Sequence, residues 1–286
     1  MDIYLLEAVI NGLLLGGVLA LLALGLNLIF GVIDVTWICY AELVMIGMYG
    51  MYYMVQYFGL SYFIAAPLTI LLVAALGALL HYLVIAPLLT APPINQLLAT
   101  GGVLFILQSF ATVAFGIDFR NLGIRLPILT VGEMNFSYAR LLSFAAALIG
   151  MIAVYLFMTR TFTGTAIRAI AQDRQIMALM GVDTRKIYLI TSALGGALAG
   201  LAACLLVLQY DVHPFVGLTF GPITFLICVL GGLGNFIGGF VASFVFAEII
   251  SLGGLFSDLE WGYVFAFGFF IVMMFIRPAG LLARRR

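Results

Sequence analysis

Charge is the scarcest property of this 286-residue sequence: 8% of its residues are Asp, Glu, Lys or Arg, against 65% hydrophobic. Soluble domains hold about 25% charged and ~45–50% apolar residues. A water-soluble chain of this make-up would lack polar surface to cover itself, so its solvent is lipid. Twelve basic and twelve acidic residues leave no net charge, which excludes a basic field for nucleic acid. Cysteine is also rare. Cys39, Cys204 and Cys228 lie in separate apolar runs with neither metal-ligand nor disulfide spacing, and read as small apolar fillers. The single lysine, Lys186, is not part of a Gly-x-x-x-x-Gly-Lys-Ser/Thr loop, so nucleotide chemistry falls to another subunit. No His-Glu-x-x-His helix or Ser/His/Asp nucleophile motif is present, so the chain is not read as an enzyme. The first residues lack a basic region and a small-residue cleavage site, and the first apolar run is expected to be a retained span rather than a signal peptide.

What is present is a series of apolar runs. A spanning helix needs about 20 apolar residues to cross a hydrocarbon core ~30 Å thick. Val9–Val32, Trp37–Phe58, Tyr62–Leu89, Ile94–Gly116, Leu141–Met158, Ile187–Leu208 and Tyr263–Ile276 fit, while Phe220–Leu252 is too long for one span and is interrupted at Gly231-Gly232-Leu233-Gly234-Asn235. The composition predicts one all-α membrane domain over residues 1–286, a polytopic helix bundle with about 8–9 crossings, including a Gly-broken pair of short helices. Arg160, Arg168, Arg174, Arg185 and Lys186 concentrate in one loop, about residues 160–186, and the tail ends Arg284-Arg285-Arg286. The positive-inside rule places both in the cytoplasm. Counting back puts the N-terminus outside, along with an excursion at about 118–140 that reads as extended or hairpin-like around Pro127 and Gly132.

Several polar or small residues stand out against this background. Gly12/Gly16, Gly196/Gly200 and Gly234/Gly238 are spaced four apart, which lets helix backbones approach closely. Five glycines in Gly231–Gly239 make a poor continuous helix, and irregular backbone in a membrane is tolerated beside protein or a water-filled cavity. Gly231, Gly232, Gly234 and Asn235 are therefore candidates for a translocation path, with Asn27, Asp34, Thr36 and Glu42. Ionisable groups inside a membrane are costly and usually functional. The alternative for Asp34 is an N-cap at a helix end, and for His81 a hydrogen bond to a neighbouring helix. In the cytoplasmic loop Asp173 can cap a short helix from Arg174 to Met180, with Gly181 stopping it, and Thr165 can start an earlier helix. With Ile170, Ile176, Met177 and Met180 as apolar contacts, this pair either rests on lipid headgroups or docks a soluble partner. The residue types alone leave both open.

Four blocks resemble the permease subunits of branched-chain amino acid ABC importers, the LivH and LivM type. The first helix carries Asn11-Gly12, Gly16 and Ala20–Val32. The loop carries Arg168-Ala169-Ile170-Ala171-Gln172-Asp173 and Ala178-Leu179-Met180-Gly181-Val182. The third block is Val229–Gly239 and the fourth is Arg277-Pro278-Ala279-Gly280-Leu281. The resemblance covers nearly the whole chain and rests on the order of the blocks. It implies a bacterial inner-membrane permease with no cofactor of its own. Two ATP-binding subunits, carrying ATP and Mg, would dock on Arg168, Ala171, Asp173, Met177, Met180 and Gly181. A second homologous permease would complete a heterodimer, and a periplasmic solute-binding protein would meet the outer face around Asp211 and His213. One departure stands out. Where the family usually has Asn-Phe-Ala-His-Gly-Glu, this chain has Thr36-Trp37-Ile38-Cys39-Tyr40-Ala41-Glu42, keeping the Glu and losing the Asn, His and Gly. The resemblance as a whole implies branched-chain amino acids or a related small organic solute. If this segment lines the path, the departure points to a solute other than leucine, isoleucine and valine, larger or flatter to suit the aromatic side chains. The rival readings are a secondary transporter or channel without an ATPase, disfavoured by spans empty of charge, and a membrane enzyme, disfavoured by the lack of a catalytic constellation.

Overall fold

The structure, a computed structural model, describes residues 2–124, 127–131, 134–256, 259–278 and 280–281. Leu126, Gly132, Glu133, Ala279 and the Arg284–Arg286 tail lie outside them. The described chain is an α-helical bundle. In order come α1 (Asp2–Ile33), α2 (Tyr40–Gln56), α3 (Tyr62–Leu80), a π-helical turn (His81–Ile85), α4 (Ala86–Leu88) and α5 (Pro93–Phe115). A two-stranded antiparallel hairpin follows, β1 (Ile128–Val131) and β2 (Met134–Ser137), within the predicted excursion. The chain continues as α6 (Tyr138–Arg160), α7 (Phe162–Gln172), α8 (Arg174–Leu179), α9 (Thr184–Leu206), α10 (Val216–Gly231), α11 (Phe236–Phe256) and α12 (Leu259–Ile276). Six helical stretches are long and apolar enough to cross a membrane: Tyr4–Ile33, Tyr62–Leu88, Pro93–Phe115, Tyr138–Arg160, Thr184–Leu206 and Phe236–Leu255. Val216–Gly231 and Glu260–Ile276 are shorter apolar helices.

These runs become helices because a helix satisfies its own backbone donors and acceptors where lipid offers none. Apolarity sends a run into the membrane but does not say which run is central. The structure does: 78% of the most apolar stretch of α1 and 67% of that of α9 are buried in protein, against 17% for α5. Helix α1 packs on α6, α9, α10 and α11, and α9 packs on α2 and α3. Glycine permits the approach. A Cβ on Gly196 would lie 2.6 Å from the Val73 carbonyl oxygen, and one on Gly77 would lie 2.8 Å from the Ser192 carbonyl oxygen. The small-residue spacing read from the sequence is thus where α3 and α9 touch backbone to backbone. His81 sits at the π-turn, 3.0 Å from the Ser192 hydroxyl, the inter-helix hydrogen bond anticipated for it.

The predicted break falls where expected: α10 and α11 meet at residues 232–235, with Gly232 and Gly234 at positive φ. Two local expectations shift. Asp34 does not cap α2, whose N-cap is Cys39. It ends α1 instead: its φ is 59°, in the left-handed region that Asp tolerates better than most residues, and its amide donates to the Phe30 carbonyl at 3.0 Å. Helix α7 starts at Phe162 rather than Thr165, because the Thr161 hydroxyl accepts from the Gly164 amide at 3.0 Å.

We expect Gly196→Leu to lower the unfolding temperature of the purified protein by several degrees, since overpacking costs about 1–3 kcal/mol. Gly101→Leu should leave it unchanged, because that position faces open space. Equal melting of both variants in detergent would show that the α3–α9 contact is not the tight one.

Candidate functional site

The candidate residues sort into three places. The first is a cavity of about 310 Å³ between α1, α2, α5 and α10. Its walls include Leu26, Thr36, Trp37, Tyr40, Ala41, Leu97, Leu104, Gly217, Gly221, Thr224 and Phe225. Its size and apolar character suit a small organic ligand. The polar groups of the wall are engaged within the protein. The Tyr40 hydroxyl donates to the Gly195 carbonyl at 3.3 Å, the Thr224 hydroxyl to the Phe220 carbonyl at 2.7 Å, and the Thr36 carbonyl accepts from the Thr100 hydroxyl at 3.0 Å. Glu42 lies directly behind this wall. It is fully buried, and neither carboxylate oxygen has a hydrogen-bond partner among the described residues. A Cβ on Gly217 would stand 2.5 Å from Glu42 Oε1. Of the predicted path residues, Thr36 lines this cavity and Glu42 backs it.

The second place is a polar groove of about 670 Å³ lined by Phe30, Gly31, Val32, Asp34, residues 170–175, Leu233 and Gly234. Here the structure joins Asp34, Gly234, Ala171 and Asp173, which the sequence had divided between path and coupling loop. Arg174 reaches Asp34 at 3.6 Å with side chains 50% and 70% exposed, a geometry worth about 0–1 kcal/mol. It marks contact more than it supplies stability. Asn27, buried above the groove, accepts from the Gly234 amide at 3.1 Å. Gly231 and Gly232 do not line the cavity. They pack against Gly238 and Gly280, where the chain end is held by the Leu281 amide donating to the Leu230 carbonyl at 2.7 Å. The Asn235 side chain accepts from the Gly238 amide at 3.1 Å, opening α11.

Helices α7 and α8 form the floor of this groove. Ile167 and Ile170 are buried, while Phe162, Ile176, Leu179 and Met180 point outward, Leu179 with 88% of its surface free. Asp173 caps α8 as the sequence predicts, accepting from the Gln175 and Ile176 amides at 2.9 and 3.0 Å. Gly181 follows at positive φ. Arg168 is exposed and Met177 half-buried. Asp183 caps α9, and the Lys186 amide that it accepts holds its carboxyl below the usual carboxylate range.

The third place is the opposite end of the bundle. Arg120 and Val212 pair backbone to backbone at 2.9 and 2.7 Å. The Asn121 amide group donates to Asp211 at 2.7 Å, and the rings of Phe119 and His213 lie 4.7 Å apart. The excursion is thus stapled to the α9–α10 connection, bringing Asp211 and His213 together with it. Burial lowers the His213 pKa, with Asp211 opposing. Its Nδ1 accepts from the Phe215 amide at 3.3 Å, a bond that a proton on Nδ1 would remove. The guanidinium of Arg120 packs over the rings of Tyr52 and Tyr53 at 5.7 and 5.5 Å. The sequence reading missed Arg120 and the α10 wall. Gly217 and Gly221 carry the same four-residue spacing used elsewhere, and that signal was available.

No group of three or more His, Cys, Asp or Glu side chains suited to a metal occurs among the described residues.

Comparison with known proteins places this geometry. The family described as "Branched-chain amino acid transport system / permease component" matches residues 8–274. The chain is 28% identical to the high-affinity branched-chain amino acid transport system permease protein BraD of Pseudomonas aeruginosa, over 98% of this chain and 96% of that protein. It is 25% identical to the LivH permease protein of the corresponding Escherichia coli system, over 99% and 96%. It is 26% identical to LivM of E. coli, over 93% of this chain and 68% of LivM. A solved structure of PsaBC from Streptococcus pneumoniae in complex with Fab shares the fold, with a TM-score of 0.53 and 14% identity over 94% of this chain and 91% of that one.

Loss of the α8 cap is the direct test of the groove floor. We expect Asp173→Ala to cost the short helix about 0.5–2 kcal/mol and to speed amide exchange across Arg174–Leu179, with α9 unaffected. Unchanged exchange there would show that the cap does not hold α8.

Proposed function

This chain belongs to the family of branched-chain amino acid transport system permease components, and on that premise we propose that it is the membrane-spanning subunit of an ABC importer in a bacterial inner membrane. It moves branched-chain amino acids or a related small organic solute inward, and separate ATPase subunits supply the energy. The observation that carries this reading is the groove. One surface element with outward apolar tips, α7–α8, meets the end of α1 at Asp34 and shares a groove with the α10–α11 turn, and α1 and α10 also wall the cavity.

The mechanism follows from that connectivity. Two ATP-binding subunits dock on the exposed tips of α7 and α8 and move them when ATP binding closes the subunits on each other. Arg174 and the loop at Asp173 pass the movement to Asp34. Residues 34–39 join Asp34 to α2, so the same displacement shifts the wall formed by Thr36, Trp37 and Tyr40. Access to the cavity then alternates between the two faces. A periplasmic solute-binding protein meets the face that carries Asp211 and His213, and a second homologous permease packs against the exposed outer helices to form a heterodimer. A secondary transporter commonly places charge pairs within its spans. Among the described residues both ion pairs, Arg174–Asp34 and Lys186–Asp183, sit exposed at helix ends rather than midway along a span.

The test is purification from native membranes in mild detergent, with uptake measured before and after ATP depletion. ATPase subunits should co-purify, and uptake should stop without ATP. Leu179→Asp, at an exposed tip, should weaken ATPase recovery by about tenfold, since a charge replaces an apolar contact, while leaving the yield of membrane-inserted protein unchanged. A chain that purifies alone and transports after ATP depletion is a secondary transporter, and the proposal then fails.

A further inference from the structure

The cavity is walled by two helices that begin at it. Tyr40 opens α2, and its hydroxyl reaches the Gly195 carbonyl halfway along α9. This start therefore lies deep in the bundle, not at its surface. Gly217 is in the first turn of α10, and Glu42 in the first turn of α2 rests against it. Two helix N-termini, each the positive end of a helix dipole, thus converge on the cavity with one buried carboxylate between them. Glu42 has no donor for either oxygen among the described residues, and no basic side chain lines the cavity. Glu42 stands behind Gly217 rather than in the cavity lining, and Gly217 interposes backbone but no side chain.

A carboxylate in such a place stays ionised only opposite a group of opposite sign and is otherwise protonated. The remaining wall is apolar, chiefly Leu26, Leu97, Leu104, Leu218 and Phe225. We infer that Glu42 is the specificity-determining residue of the cavity, receiving the cationic nitrogen of an amphipathic primary amine whose apolar body lies against those side chains. This rests on the reading of the cavity as part of the solute path.

Trp37 lines the cavity and is buried, while the other tryptophan, Trp261, is 52% exposed at the bundle's periphery. Trp261→Phe therefore leaves Trp37 as this chain's own fluorescent reporter of occupancy, read as the difference from the same complex that also carries Trp37→Phe. The full chain with its co-purifying subunits, in lipid nanodiscs and without any binding protein, is titrated with L-leucine, isopentylamine and 4-methylpentanoate. These carry both charges, the cation alone and the anion alone on the same apolar body. We expect leucine and isopentylamine to shift Trp37 emission saturably and 4-methylpentanoate to bind at least about tenfold more weakly. Glu42→Gln should weaken the two amines by a similar factor, and Glu42→Asp should retain most of their binding. If 4-methylpentanoate matches the amines, the charge assignment is wrong while the cavity stands as a solute site. That comparison does not depend on any Glu42 variant folding. If no compound moves Trp37 although uptake is intact, the cavity is not on the path, and this inference falls with that part of the functional reading. ATP-independent uptake would instead overturn the importer and leave the Glu42 assignment to the titration.

Discussion

Backbone contact through glycine is the constraint on which the rest of the structure depends. In lipid, apolar side chains gain little by leaving their solvent for one another, so helix association relies on close packing and buried polar contacts. Helices α3 and α9 meet at Gly77 and Gly196, and the end of α1 meets the α10–α11 turn at Gly31 and Gly234. The first contact fixes the central helix on which α2 leans. The second brings the α10–α11 turn into one groove with α7 and α8, because Asp34 stops α1 three residues after Gly31. A side chain at any of these glycines would separate elements that the cavity and the groove both need close together.

The cavity and the groove are joined by one short length of chain. Asp34 lies in the groove, and Thr36, Trp37, Tyr40 and Ala41 lie in the cavity wall. The linking segment is irregular, starting at the left-handed Asp34 and ending in a turn at Ile38–Cys39. The departure from the family's usual residues falls on this same stretch. The aromatic side chains of Trp37 and Tyr40, in place of smaller or polar ones, make the wall apolar. Glu42, the residue retained, is the one charged group behind it.

Much of the architecture was legible from the sequence. Apolar runs located the helices, because length and hydropathy are properties of a run by itself. The Asp173 cap and the Gly181 stop were legible for a similar reason, since a cap acts over three or four residues of its own chain. Asp34 was harder. An acidic residue between two helices can end one or begin the next, and its positive φ, visible only in the folded chain, decides for the first. The site was the least legible part. Gly217 and Gly221 carried a spacing signal, but nothing local says that Glu42 lies against Gly217, since they are far apart in sequence.

By itself the sequence determined the solvent of this protein, the helices that solvent demands, the caps of its surface loop and the absence of a nucleotide-binding loop, because each depends on composition or on neighbours a few residues away. The tertiary structure alone decided that α1 and α9 are central, that Asp34 shares a groove with α7 and α8, and that Glu42 is buried beside an apolar cavity without a hydrogen-bond partner among the described residues. Those facts depend on which helices pack together, and in a membrane that choice is made by surface shape and a few glycine contacts, to which hydropathy is blind.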